Sequence, residues 1–178
     1  MISDLKSKEI ISNLRSTDSD LVLETIDKLR EAGNSLIFPE LIELLHNTEL
    51  PEIKKSVLNL LSELKNKESV PLLMTAIKNE KYAKERKDLI ACCWQNGLNY
   101  NAYITVFIDL VIQEEFLIAF EAFTVIENMV GNIEEEVIEA ELIKIKDALK
   151  EAGEQKAYLL NGLLSVIRDI PEEHEFLN

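Results

Sequence analysis

Apolar residues recur along this chain at helical spacing, and one stripe returns every 32 or 33 residues. The stripe occupies positions i, i+4, i+7, i+8 and i+11, which share one face of an α-helix. Its members in four successive segments are Leu21, Thr25, Lys28, Leu29 and Ala32; Ile53, Val57, Leu60, Leu61 and Leu64; Glu85, Leu89, Cys92, Cys93 and Asn96; and Ile118, Ala122, Val125, Ile126 and Met129. This shared register predicts a repeated helical hairpin.

The hydrophobic pattern predicts ten helices that form five pairs. The predicted pairs are 3–15 with 19–32, 35–47 with 51–64, 68–79 with 82–96, 99–113 with 114–130, and 132–152 with 154–169. The Asp-Ser-Asp run at 18–20 offers N-caps for the second helix, and Pro51 suits a first-turn position. No low-complexity linker interrupts the series, so we expect one all-α domain over residues 1–170 and a tail at 171–178.

Backbone-punctuating residues recur with nearly the same period as the stripe. Gly33, Asn66, Gly97 and Gly131 are separated by 33, 31 and 34 residues. Because Gly and Asn tolerate the left-handed conformation that closes many helix C-termini, we expect each of them to end a hairpin. The stripe gives the more regular period of the two.

Prolines and an aliphatic–basic pair stand at repeat-like positions in the predicted hairpins. Pro39 and Pro71 come early in two first helices, and Ile53-Lys54 opens a second helix. With these features, the run Leu36–Glu80 resembles the HEAT/armadillo class of helical repeats, and HEAT repeats more closely.

The resemblance extends over about residues 18–131 and has departures. Arg86 repeats the basic residue, but Val22 and Ala119 replace it elsewhere, and Glu85 replaces the aliphatic one. The resemblance implies an α-α superhelix, a HEAT-like solenoid of about five hairpins, whose second helices line a concave surface. It also implies protein–protein binding, without specifying a partner.

Charge is distributed unevenly along the chain, whose formal net charge is −14. Residues 1–89 hold 14 Lys/Arg and 16 Asp/Glu, whereas residues 90–178 hold 5 and 17. Because this excess of negative charge repels phosphate backbones, we expect no nucleic-acid partner. The sequence also lacks the pattern of a basic groove, which HEAT-like DNA glycosylases would need. The acidic surface either steers a basic protein partner or serves solubility alone.

Hydropathy and cysteine usage favour a reduced, cytoplasmic protein. The N-terminus has no long apolar run, and the apolar stretch 104–120 is interrupted by charged residues, so we expect no signal peptide and no membrane span. Cys92 and Cys93 are neighbours on a predicted helix, which is a poor geometry for a disulfide. Both fit a buried apolar core better than a nucleophile.

Candidate chemistry is sparse, and we expect no catalytic residue, metal or cofactor. Glu43 and His46 form a lone Glu-x-x-His, whereas di-iron bundles need two such motifs and two more carboxylates. The other histidine, His174, lacks this spacing. The acidic residues Glu134, Glu135, Glu136, Glu139 and Glu141 fit a helix start capped by Asn132 and a solvated face.

The outward positions of the second helices carry the functional prediction. They are polar in the first two units, but Trp94, Leu117 and Phe120 occupy them in the third and fourth. Aromatic anchors with a charged rim are typical of binding hot spots, and the predicted rim is Lys84, Lys87 and Glu127. Contact within a homodimer and burial inside the molecule are the alternatives for these side chains.

The leading hypothesis is a non-enzymatic adaptor that binds a partner protein on the concave face of repeats 3 and 4. A basic protein is one of the partners that this hypothesis includes. One alternative is a self-assembling structural subunit that forms a homodimer through its acidic C-terminal half. Another is an acidic inhibitor or immunity-type protein that covers a basic enzyme site.

Overall fold

The computed structural model describes residues 2–32 and 37–170, with side chains at 6–30 and 37–170. This part of the chain is all-α, with ten α-helices and no strand. The helices are α1 (Ile2–Leu14), α2 (Ser19–Ala32), α3 (Phe38–Asn47), α4 (Pro51–Ser62), α5 (Ser69–Lys78), α6 (Arg86–Asn96), α7 (Ile104–Gln113), α8 (Phe116–Glu127), α9 (Glu135–Leu149) and α10 (Glu154–Val166). Short 3-10 helices lie at Glu80–Tyr82, Asn101–Tyr103 and Ile167–Asp169. Within these residues, no helix combines the length and apolar character that a membrane crossing requires.

The ten predicted helices are all present, with shifts at several N-termini. Helix α6 begins at Arg86 rather than 82, since Asn79 accepts a hydrogen bond from the Lys81 N–H and starts a 3-10 turn. Helix α9 begins after Glu134, so the prediction that Asn132 caps it is wrong. Asp18 does cap α2: its Oδ1 accepts hydrogen bonds from the N–H groups two and three residues on.

Helices α7 and α8 are separate because two acidic residues between them are extended. Glu114 and Glu115 have ψ values of 165° and 162°, which break the helical hydrogen-bond series. The apolar run therefore folds back as an antiparallel hairpin, with α7 packed against α8.

Contacts divide the chain into two compact units, residues 1–98 and 99–178. In the first unit, α2 packs against α4 and α4 against α6, while α1 contacts α3 and α3 contacts α5. In the second unit, α8 and α9 both pack against α10. The expectation of one domain over residues 1–170 stays a prediction, and the tail at 171–178 lies outside the described residues.

The repeated stripe forms much of the core. In α4, α6 and α8 its described members are buried or half-buried. Lys28 is the exception, with 71% of its side chain exposed. The equivalent Cys92 faces the preceding second helix, since its Sγ lies 3.6 Å from the Leu58 carbonyl oxygen. Helix α2 belongs to the first pair, so within the described residues no second helix of an earlier pair covers Lys28, and its side chain extends into solvent.

Two of the punctuating glycines adopt the predicted conformation. Gly97 closes α6 with φ 65°, and Gly131 has φ 94° after α8. Asn66 does not adopt it, and no described residue other than glycine has a positive φ. Its side-chain oxygen instead accepts a hydrogen bond from the Glu68 N–H at 3.0 Å, which turns the chain into α5. Gly33 lies outside the described residues.

Candidate functional site

The six predicted partner-binding residues divide equally between the two units. Lys84 precedes α6, and α6 itself carries Lys87 and Trp94, all within the first unit. Leu117, Phe120 and Glu127 lie on α8 in the second unit.

The outer surface of α8 carries a group of exposed apolar side chains, here called the α8 apolar face. It consists of Phe116, Leu117 and Phe120, which are 37%, 59% and 47% exposed. The ring centroids of Phe116 and Phe120 are 6.3 Å apart, with 31° between the ring planes. Single exposed apolar residues are ordinary on a protein surface, but neighbouring ones of this size often mark an interaction site.

The composition of α8 explains why this face is exposed. The stripe Ile118, Ala122, Val125 and Ile126 is buried. Residues 117, 120 and 127 lie on the opposite side of the helix at i, i+3 and i+10, as predicted from the register. Phe116 was not predicted as part of the site, although its i, i+4 spacing from Phe120 was the available signal.

The first-unit trio has a different environment. Trp94 is half-buried, while Lys84 and Lys87 are exposed. Lys87 Nζ lies 3.4 Å from Asp88 Oδ1, a contact between exposed neighbours that contributes little to stability. Trp94 therefore differs from Leu117 and Phe120, which are exposed.

A cleft of about 330 Å³ adjoins the α8 apolar face, and it is lined by Glu114–Phe116 and Gly153–Lys156. Lys156 Nζ donates to the Val111 carbonyl oxygen at 2.7 Å and also contacts the Glu114 carbonyl oxygen. Burial lowers the pKa of Lys156, and the Glu114 carboxylate partly opposes this shift. The ammonium group therefore caps the end of α7, and it is the single cation beside the three carboxylates, Glu114, Glu115 and Glu154, among the residues that line the cleft.

The residues Glu43 and His46 hold separate partners in the first unit. Glu43 Oε1 accepts a hydrogen bond from Tyr82 Oη at 2.7 Å and pairs with Lys81. The Lys81 bond, followed by the Tyr82 bond, lowers the pKa of Glu43 to about 2. His46 Nδ1 lies 3.1 Å from Glu85 Oε2. Among the described residues, no group of three or more His, Cys, Asp or Glu side chains could hold a metal ion.

The two cysteines are free and buried. Burial raises the pKa of Cys92 to about 11, well above the range in which a thiolate forms at neutral pH. Cys93 Sγ lies 3.5 Å from the Leu89 carbonyl oxygen within its own helix. Both side chains therefore act as small apolar residues of the core.

The acidic run at the start of α9 contains one buried member, contrary to the predicted solvated face. Glu134, Glu135, Glu136 and Glu139 are exposed, but Glu141 is 4% exposed. Lys144 Nζ lies 2.9 Å from both Glu141 Oε2 and Asp109 Oδ1. This shared cation compensates the buried charge and explains why Glu141 can face α7.

A larger cleft of about 830 Å³ lies in the first unit, between the α1–α2 turn and the α3–α4 turn. Its carboxylates are already engaged. Arg15 donates to both oxygens of Glu40, at 2.6 and 2.7 Å, and Glu43 pairs with Lys81 and Tyr82. The cleft thus presents no uncommitted acid–base pair, and its sequence signal is weak because distant turns form it.

The comparisons with known proteins add no functional information. No family model and no curated protein matches the chain. Among solved structures, it is similar to an engineered protein whose crystal structure was a Northeast Structural Genomics Consortium target. The two chains are 14% identical, the similarity covers 97% of this chain and 84% of that chain, and the TM-score is 0.44. A likeness at this level indicates no function.

Proposed function

We propose that the chain is a HEAT-like helical-repeat protein that acts as a non-enzymatic binding module for another protein. The support for the repeat is the common stripe and the order of packing within each unit, where second helices lie beside second helices. Helical repeats present extended surfaces and need no catalytic group to function.

The observation that carries the binding role is the α8 apolar face. Leu117 and Phe120 are among the most exposed large apolar side chains of the described residues. Their exposure has a free-energy cost, since burial of apolar area is worth about 25 cal/mol per Å². A partner that covers this face would recover that free energy, and large side chains at its centre would be the binding anchors.

The test is affinity capture from native cells with matched variants. We expect wild-type protein and Leu50→Ser to retain the same partner, and Leu117→Ser to lose it. Leu50 is a suitable control because it is 43% exposed and lies in the other unit. Equal retention by Leu117→Ser and wild type, with unchanged helicity, would contradict a role for α8.

The first-unit trio gives a second, separate prediction for the same function. We expect Trp94→Ala to weaken partner binding by ~2 kcal/mol or more, because partner-facing tryptophans are common hot spots. Calorimetric titration with the captured partner measures the change, and circular dichroism checks that helicity is retained. Unfolding of the variant without a specific binding loss would instead identify Trp94 as part of the core.

An acidic inhibitor is a second candidate, favoured by the excess of 17 acidic over 5 basic residues in positions 90–178. Such a protein would cover a basic active site by charge complementarity. The captured partner would then be an enzyme whose activity falls when this chain is added. Binding that leaves the partner's activity unchanged favours the adaptor.

A further inference from the structure

The charge around the α8 apolar face indicates the chemistry of its partner. Glu115 lies at one end of the face and Glu127 at the other, and both are exposed. Glu154 lines the adjoining cleft. Within the described part of the chain, no cation forms an ion pair with any of these three carboxylates.

The basic residues nearest in sequence do not neutralise this rim. No Lys or Arg occurs between Lys87 and Lys144. Lys144 is held by Asp109 and Glu141, and Lys156 by the carbonyl groups at the end of α7. Since Lys156 is the single cation among the residues that line the cleft, which also include Glu114, Glu115 and Glu154, carboxylates are in excess beside the apolar face.

From this arrangement, and resting on the proposed function, we infer that the α8 apolar face binds a cationic amphipathic helix of a partner protein. Apolar side chains of that helix, spaced i, i+3, i+4 and i+7, cover Leu117 and Phe120. Its Lys or Arg residues face Glu115, Glu127 and Glu154. Phe116 lies where the apolar face meets the cleft, so a bulky side chain of the partner fits beside it.

Charge argues against a second copy of this chain as the occupant. A copy docked through the same face would bring a second acidic rim against the first, and like charges in an interface disfavour the complex. A cationic helix removes apolar area from water and also neutralises the rim. The two contributions act together only for a partner of opposite charge.

The test uses three synthetic peptides of roughly 18 residues, or about five helical turns. The first places Leu in a helical stripe with Lys elsewhere, the second has the same composition with alternating Leu and Lys, and the third replaces Lys by Glu. Fluorescence anisotropy measures the binding of each labelled peptide to the full chain. We expect only the striped Lys peptide to bind tightly.

Matched variants separate specific docking from general attraction to an acidic protein. We expect Leu117→Ser and Phe120→Ser each to weaken the binding of the striped Lys peptide at least about tenfold, as is typical of residues at the centre of an interface. Leu50→Ser, which removes an exposed leucine from the other unit, should change its affinity by less than about twofold. Glu115→Gln combined with Glu127→Gln should reduce both affinity and salt dependence.

Several outcomes would overturn the inference while leaving the proposed function standing. One is equal binding of the striped and alternating Lys peptides with no effect of Leu117→Ser, which would mean non-specific attraction. Another is equal or tighter binding of the Glu peptide, or no binding of any peptide. A doubled mass in sedimentation that Leu117→Ser abolishes would identify a second copy as the occupant. The proposed function fails separately, if native capture does not depend on Leu117.

Discussion

The most consequential single residue in the second unit is Glu141, a buried carboxylate on α9. Lys144 Nζ donates to Glu141 Oε1 at 3.1 Å, while Glu141 Oε2 has no hydrogen-bond donor among the described residues despite its 2.9 Å ion-pair contact. Burial acts to lower the pKa of Lys144, but its bonds to Glu141 and Asp109 outweigh burial and raise it. The buried charge thus depends on one cation.

We predict that Lys144→Met destabilises the protein by about 3 kcal/mol, because it leaves Glu141 buried and uncompensated. Urea unfolding measures the change. The matched control is Lys150→Met, which removes the exposed i, i+3 partner of Asp147 just beyond the end of α9 and should cost less than about 1 kcal/mol. Adding Glu141→Leu to Lys144→Met should recover most of the loss. No recovery would indicate that Asp109 carries the effect.

A second residue-scale prediction concerns acid stability. The bonds from Lys81 and Tyr82 lower the pKa of Glu43 to about 2 from its ordinary value of 4.5. The native state therefore binds this proton less tightly than the unfolded state, so Glu43 contributes stability above about pH 4.5 that is lost as pH falls towards 2. We expect Glu43→Gln to reduce the fall in unfolding free energy between these pH values, as measured by urea titration at each pH.

Tyr82→Phe provides the graded control for this effect. It removes the donor 2.7 Å from Glu43 Oε1 and keeps the Lys81 pair. The variant should therefore show a pH dependence between those of wild type and Glu43→Gln. An acid dependence unchanged by both variants would show that other carboxylates dominate acid unfolding.

At the scale of helices, Lys156 connects the start of α10 to the end of α7. Its Nζ satisfies carbonyl groups that have no partner within α7, and a cation at a helix C-terminus also interacts favourably with the helix dipole. We predict that Lys156→Met costs about 1–3 kcal/mol, since a half-buried hydrogen-bonded charge is lost while the aliphatic stem is kept. Urea unfolding measures this, with Lys146→Met, an exposed lysine of α9, as the control. Equal stability of the two variants would contradict the capping role.

Helix positions were predictable because apolar periodicity is local information. The hydrophobic pattern predicted all ten helices, and the stripe assigned the buried side of α8 correctly. Details that depend on distant residues were not predictable: Glu141 is buried because Lys144 and Asp109 meet there. Gly162 gave no signal either, yet a Cβ at this position would lie 3.0 Å from the Phe123 ring, so its absence lets α10 approach α8 closely.

The candidate site was predictable only in part, for the same reason. Register placed Leu117 and Phe120 outward, but exposure depends on what else packs there, which a single sequence does not contain. Phe116 joins the face because the extended Glu114 and Glu115 make it the first residue of α8. Trp94 occupies the same position in the repeat register as Glu127, but Trp94 is half-buried whereas Glu127 is exposed. Register alone therefore does not determine exposure, because the neighbouring side chains differ between the two helices.

At the scale of the whole molecule, negative charge lowers the stability of the fold but strengthens the binding of a cationic partner. The chain carries a formal charge of −14, of which −12 falls in residues 90–178 (5 basic minus 17 acidic). Mutual repulsion among these charges disfavours the folded state, whereas attraction to a cationic partner favours the complex. Salt screens both, with a Debye length that falls from about 30 Å at 0.01 M to about 8 Å at 0.15 M.

We therefore predict that this increase in salt raises the thermal midpoint by about 2–4 °C, corresponding to about 1 kcal/mol for a chain of this size, while weakening the striped Lys peptide. Calorimetry and anisotropy on the same sample measure the two effects. Glu139→Gln with Glu151→Gln, two exposed positions on α9 and just beyond it, should reduce the thermal response and leave peptide affinity nearly unchanged. A midpoint that falls with salt would mean that ion pairs outweigh repulsion, and the acidic surface would then be a stabilising feature rather than one kept for binding.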